Sequence, residues 1–161
     1  MGNKVKTTPD GYRTVTAHLI VKDIAKALEF YTRALGATER FRMTCPDTGV
    51  VRHAEIQIGD SIVMLGTECE QAKTKSPLAL GGTASSLYLY VADVDAAFAK
   101  ATKAGGKTLQ PVMNMFWGDR YGKILDPFGH EWSLATHQED LSPEAIAERA
   151  KEFFAAAANA H

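Results

Sequence analysis

Short runs of alternating hydrophobic and polar residues recur along this chain, each set interrupted by one helical stretch. VTAHLIV (15–21) alternates, which predicts a strand with one buried face. Ile24, Ala27, Leu28, Tyr31 and Leu35 then fall three or four apart, the spacing of a helix with one apolar side. Asp23 stands where a side-chain oxygen can cap that helix. Gly36 stands where a left-handed exit can end it. A strand is expected around Glu39–Thr44. VVRHAEIQI (50–58) and SIVMLG (61–66) then flank Gly59-Asp60, a strong hairpin signal.

The same order returns 70 residues later. SSLYLYVADVDAAFAKATKAGGK (85–107) falls on residues 15–37, with identity at Leu19/Leu89, Val21/Val91, Asp23/Asp93, Ala27/Ala97, Thr32/Thr102, Ala34/Ala104 and Gly36/Gly106. A strand around Thr108–Met113 follows. YGKIL and HEWSLA then surround Asp126-Pro127-Phe128-Gly129, whose Asp, Pro and Gly occupy the first, second and fourth places of a type I turn. Each half therefore reads β-α-β-β-β, and neither half would bury its sheet alone. The expected class is α+β, with two βαβββ modules and a C-terminal helix. The expected organisation is a polar N-terminal arm (1–11), a first module (12–66), a flexible polar linker (67–84), a second module (85–137) and a helical extension (138–161). In that extension Ser142 caps, Pro143 suits the first turn, and Ile146, Arg149/Ala150 and Phe153-Phe154 share one side, a packing stripe.

Charge changes the picture by exclusion. Lys and Arg total 18 and Asp and Glu total 19, a net of -1, so neither nucleic acid nor an anionic membrane is the expected partner. No run is long enough to span a bilayer and no apolar signal segment opens the chain, so the expected location is cytoplasmic. Cys45 and Cys69 have no CxxC spacing and read as ordinary reduced thiols. A GxSxG elbow, a phosphate-binding P-loop and a GxGxxG turn after a strand are all missing from the sequence.

The paired βαβββ pattern, the VxD-helix-Gly signature and the closing DPFGHEW together resemble the vicinal-oxygen-chelate superfamily. That group includes glyoxalase I, extradiol dioxygenases, fosfomycin-resistance enzymes and bleomycin-binding proteins. HAEIQIGDSIVML, VADVDAAF, FWGDRYG and DPFGHEWSLAT are similar to the PhnB-like branch. The resemblance implies that the sheets curl into a cup-like mixed sheet, often paired in a homodimer, with a small-molecule ligand on the concave face. It also implies four metal-ligand positions. Carried over motif by motif, they fall on Thr16, Met64, Ser86 and Ser133. None of these supplies the imidazole or carboxylate that a divalent catalytic metal takes, so no metal and no cofactor are expected.

Strand parity then selects cup-facing residues, because every second side chain shares a face. Thr16 brings His18 and Ile20. Ser86 brings Tyr88 and Tyr90. His53, Glu55 and Gln57 form the polar face of their strand. The ligand-binding set is therefore expected to be His18, His53, Glu55, Met64, Tyr88, Tyr90, Phe116 and Trp117. Phe116 and Trp117 join it because Met113–Trp117 is an apolar, non-periodic stretch of the kind that lines pockets. Asp119 and Arg120 read as an ion-pair-capable couple bracing that loop. Asp126 reads as a turn residue, His130 as a local hydrogen-bonding residue, His137 as exposed beyond the strand, and Trp132 and Leu134 as core. The expected function is binding of an aromatic or apolar small molecule in a metal-free cup, stacked on Trp117 and Tyr88 and oriented by His18 and Glu55. Two alternatives stay open, and no catalytic residue is assigned. One is a metal-dependent lyase or isomerase of glyoxalase type with a displaced His18/His53/Glu55 site. The other is a metal-free acid/base enzyme using His18 and Glu55.

Overall fold

The structure, a computed structural model, describes residues 5–158. The first four residues of the expected arm and the last three of the expected extension lie outside them. The elements in chain order are β1 (Ala17–Val21), α1 (Ile24–Leu35), β2 (Thr38–Thr44), β3 (Val51–Ile58), β4 (Ser61–Thr67), α2 (Pro77–Leu80), β5 (Ser86–Tyr90), α3 (Val94–Ala104), β6 (Lys107–Asn114), β7 (Asp119–Leu125), β8 (Glu131–His137) and α4 (Pro143–Ala158). The expected α+β architecture stands, as two four-stranded mixed sheets with orders β1-β4-β3-β2 and β5-β8-β7-β6. In each, the first strand runs parallel to the last and the other pairings are antiparallel.

The chain forms two compact units. One runs up to Ala84 and includes Pro127–His130; the other comprises Ser85–Asp126 and Glu131 onward. In the first unit Asp23 accepts from the Lys26 amide at 3.0 Å and caps α1. Gly36 leaves α1 at φ +69°, the left-handed conformation that glycine enters without a Cβ penalty. Ile24, Ala27, Leu28 and Tyr31 bury their side of α1 with Ala54, Ile56 and Leu65 of the sheet. The isoleucine and leucine side chains among these contribute roughly 1.5–3 kcal/mol each when fully buried. Phe128 joins that core edge-on, its ring centroid 6.0 Å from that of Phe30. The segment after β4 is ordered by local bonds: Cys69 and Thr74 bridge, and Ser76, fully buried, caps α2 and binds the Glu68 carboxylate.

In the second unit Asp93 caps α3, and Val94 and Ala101 bury its inner side. Trp132 and Leu134 are core, as their parity predicts. The Trp132 indole donates to Asp126 at 3.0 Å, so Asp126 is a buried acceptor as well as the first residue of its turn. His130, at the end of that turn, belongs to the first unit; it is buried and binds the Ile20 carbonyl at 3.0 Å, a partner 110 residues away that the sequence reading does not name. In α4, Ser142 accepts from the Ala145 amide as expected, but no residue of the helix is fully buried. Its contact is a cluster in which the Phe153 and Phe154 rings lie 5.4 and 5.6 Å from Phe116.

Gly122 on β7 sits beneath α3. A Cβ there would lie 2.8 Å from Phe98 Cε2 and 3.0 Å from Val112 Cγ2. Gly122→Ala is therefore expected to lower stability by about 1–3 kcal/mol through overpacking. A urea unfolding curve with an unchanged midpoint would show that α3 yields without cost.

Candidate functional site

The two sheets present equivalent rows with different chemistry. In the first, His18, Met64, Glu55 and Phe41 lie side by side across the four strands. In the second, the same row is Tyr88, Ser133, Lys123 and Gln110. The parity argument thus assigns the faces correctly: His53 and Glu55 stay partly open while Ala54, Ile56 and Ile58 are buried. The sequence-expected residues divide between the units, with His18, His53, Glu55 and Met64 in the first and Tyr88, Tyr90, Phe116 and Trp117 in the second.

In the first unit the His18 ring lies across Gly66. A Cβ at Gly66 would come within 2.6 Å of His18 Nε2, so the absence of a side chain makes room for the imidazole. The His18 and His53 rings meet edge-on at 6.1 Å, and His53 Nε2 lies 3.5 Å from Glu55 Oε1. Burial, followed by the neighbouring His53, pushes the His18 pKa down, favouring its neutral form. A cavity of about 600 Å³ opens beside this pair, lined by His18, Arg52, His53, Gly66, Glu68 and Cys69 among others. Glu55 and Met64 are not among its lining residues. Phe41 and Met43, each about half exposed, flank the same face. The alternation in RFRMT carries them, a signal that the sequence reading leaves unused.

The second unit is built around one carboxylate. Asp119 is 3% exposed. Its Oδ2 accepts from the Tyr88 hydroxyl at 3.0 Å, the Tyr90 hydroxyl at 3.2 Å and the Trp117 indole at 3.1 Å. Its Oδ1 accepts from His137 Nδ1 at 2.7 Å. Burial pushes the Asp119 carboxyl up, but the bonds from His137, Tyr88, Trp117 and Tyr90 outweigh it and hold the pKa below the ordinary value. Burial first, and then the bond to Asp119, push the Tyr88 phenol well above its ordinary range. Tyr121 stacks on Tyr88 at 5.7 Å and meets Trp117 edge-on at 5.6 Å.

Two expectations are corrected here. Asp119 and Arg120 are not a couple, because consecutive residues on β7 point to opposite faces. Arg120 forks onto Asp95 at 2.6 and 2.7 Å, and Asp119 turns inward. His137 is exposed as expected, but it is the last residue of β8 rather than a residue beyond it, and it is engaged with Asp119 on one side and Asp140, 3.0 Å away, on the other. Glu131, on the open face, is paired with Lys123 at 3.0 Å. The residues that sequence reasoning undervalues are therefore Asp119 and His137. Their register pairing across β7 and β8 is the link, and it is visible only once the hairpin is aligned.

The four carried-over metal positions do not fit a metal. The Thr16 hydroxyl donates to the Arg13 carbonyl at 2.9 Å, one residue before β1 begins. The Ser133 hydroxyl lies 3.1 Å from that of Ser86 and 3.0 Å from that of Tyr121, so these hydroxyls satisfy one another. Met64 offers a thioether. This set contains neither carboxylate nor imidazole. Among the described residues, no three or more His, Cys, Asp or Glu side chains gather as a metal site requires, His18, His53 and Glu55 included.

The profile of the Glyoxalase/Bleomycin resistance protein/Dioxygenase superfamily matches residues 9–134. The chain belongs to this superfamily. It is 39% identical over 135 residues to an uncharacterised protein of Mycobacterium tuberculosis, covering 82% of this chain and 79% of that one. Among solved structures it is similar to TioX from Micromonospora sp. ML1, with TM-score 0.61, 28% identity, and coverage of 81% of this chain and 100% of that one. A PhnB protein from Bacillus cereus shares the superfamily fold, with TM-score 0.59, 21% identity, and coverage of 77% and 99%. No helix among the described residues is long and apolar enough to cross a membrane.

His137 offers a direct check on the Asp119 centre. Its bond to Asp119, then its bond to Asp140, raise its pKa above the ordinary 6.5. A histidine with a raised folded pKa contributes stability that is complete below its unfolded pKa and is lost as pH climbs through the folded value. That stabilisation is therefore expected to fade above about pH 6.5. An imidazole NMR titration should place the His137 midpoint above that of a free histidine and return it toward that value in Asp119→Asn. A wild-type midpoint at or below 6.5 would refute the pairing.

Proposed function

We propose that this protein binds a small aromatic or apolar molecule on the open faces of its sheets and needs no resident metal to do so. The observation that carries this reading is the state of Tyr88 and Tyr90. They are 46% and 62% exposed, yet their hydroxyls are tied down on Asp119. A tyrosine held by its polar edge presents its ring face at little further cost in side-chain entropy. Trp117 is anchored in the same way, and Phe116 packs edge-on against it at 4.9 Å. On the first sheet, His18, His53, Glu55 and Met64 are read as ligand-lining, with the imidazoles and the carboxylate giving polar orientation. The superfamily supports the small-molecule class, and the donor chemistry at Thr16, Met64, Ser86 and Ser133 supports a binding mode without a metal.

We also infer a homodimer in the cytoplasm. Every residue of β2 is exposed in the single chain, and this edge strand carries Phe41 and Met43, apolar surface that a second copy would cover. Native mass spectrometry at micromolar concentration should show the dimer; a monomer there would overturn it.

Isothermal titration with 1-naphthalenemethanol is expected to show saturable binding that a chelator leaves unchanged. Tyr88→Ala should weaken that binding about tenfold, the order of one lost aromatic contact. Binding or turnover that appears only with one divalent metal per chain would sink the reading in favour of glyoxalase-type chemistry.

A further inference from the structure

We propose that the open face of the second sheet selects an organic cation, a flat ring bearing a quaternary or delocalised positive nitrogen, over its neutral and anionic counterparts. This rests on the aromatic-ligand reading above and specifies the charge of the ligand. Three aromatic donors, Tyr88, Tyr90 and Trp117, all give their hydrogen bonds to one oxygen of Asp119. Their polar edges are thereby turned toward a carboxylate that is itself 3% exposed. A phenol or indole donating to a carboxylate draws electron density into its ring. The ring face, already the negative pole of the aromatic quadrupole, becomes a better seat for a cation. Tyr88 and Tyr90 lie 5.1 Å apart at 45°, and Tyr121 extends the surface behind Tyr88.

The charges around this surface agree. Lys123 is answered by Glu131, Arg120 by Asp95 and Arg149 by Glu139. Lys107 lies in the row of Ser86 and Glu131, at the end of the face away from Tyr90, and beside the rings Asp119 and Asp140 stand against the single imidazole of His137. Two carboxylates against one imidazole keep this end of the surface negative whether His137 is charged or neutral. Among the described residues of this unit no lysine or arginine lies over these rings; the cation–π contact of Arg40 over Tyr12 belongs to the first unit. The surface thus has the electrostatics of a cation site, with the Tyr88 and Tyr90 rings accessible to solvent.

The test compares three probes of one shape by isothermal titration: N-methylquinolinium, 1-methylnaphthalene and 1-naphthoate. N-methylquinolinium is expected to bind about tenfold more tightly than 1-methylnaphthalene, as desolvated cation–π contacts allow, and 1-naphthoate most weakly. Asp119→Asn should bring the cation and the neutral probe to within about twofold of each other. If that variant does not fold, Tyr90→Leu decides: it removes an exposed ring and should weaken the cation more than the neutral probe. Equal affinity of wild type for cation and neutral probe overturns this inference and leaves the aromatic-ligand reading intact. Failure of all three probes to bind overturns both.

Discussion

A buried carboxylate is expensive unless donors surround it, and the second unit is organised around that requirement. Asp119 is almost fully enclosed, and four donors from β5, β8 and the loop before β7 converge on its two oxygens. Removing water from a charge costs several kcal/mol, and charge-assisted hydrogen bonds must return most of it. The same bonds orient Tyr88, Tyr90, Trp117 and His137. The aromatic surface is thus a consequence of satisfying one charge. Rings that would otherwise swing through several rotamers are held by their polar edges, and Tyr88 and Tyr90 stay 46% and 62% exposed.

The internal repeat lets the two sheets be compared position by position. His18 and Tyr88, Met64 and Ser133, Glu55 and Lys123, and His53 and Tyr121 occupy equivalent places in the registers of their sheets. The scaffold is the same, yet one face carries imidazoles above a glycine floor and the other carries phenols around an aspartate. At the position where the first sheet has Gly66, leaving space for His18, the second has Ala135, fully buried beside Tyr121. A duplicated fold here supplies two surfaces of different chemistry, as expected where function resides in side chains on a shared backbone.

Much of this was legible along the chain. Alternation over Val51–Ile58 separated the buried Ala54, Ile56 and Ile58 from the open His53 and Glu55, because strand side chains alternate without exception in a regular ladder. The caps at Asp23 and Asp93, the glycine exits and the two hairpins were local signals, and local physics honours them. What was not legible depended on pairing. Asp119 beside Arg120 looks like a local couple in one dimension, yet the pleat sends the two to opposite sides. His130 looks like a turn residue until its acceptor proves to be the Ile20 carbonyl. His137 is the exposed strand end it looks like, yet only the pairing of β7 with β8 shows that it faces Asp119.

Residue order alone determined the α+β class, the two βαβββ modules, the faces of most strands and the absence of ligating side chains at the four metal positions. These are properties of periodicity, capping and side-chain identity, all set within a few residues. Only the tertiary structure decided that Asp119 is the centre of its unit and that Tyr88, Tyr90, Trp117 and His137 are its donors. Those partners lie 2 to 31 residues away along the chain, and what brings them to one carboxylate is strand register, which is set by the packing of the whole sheet.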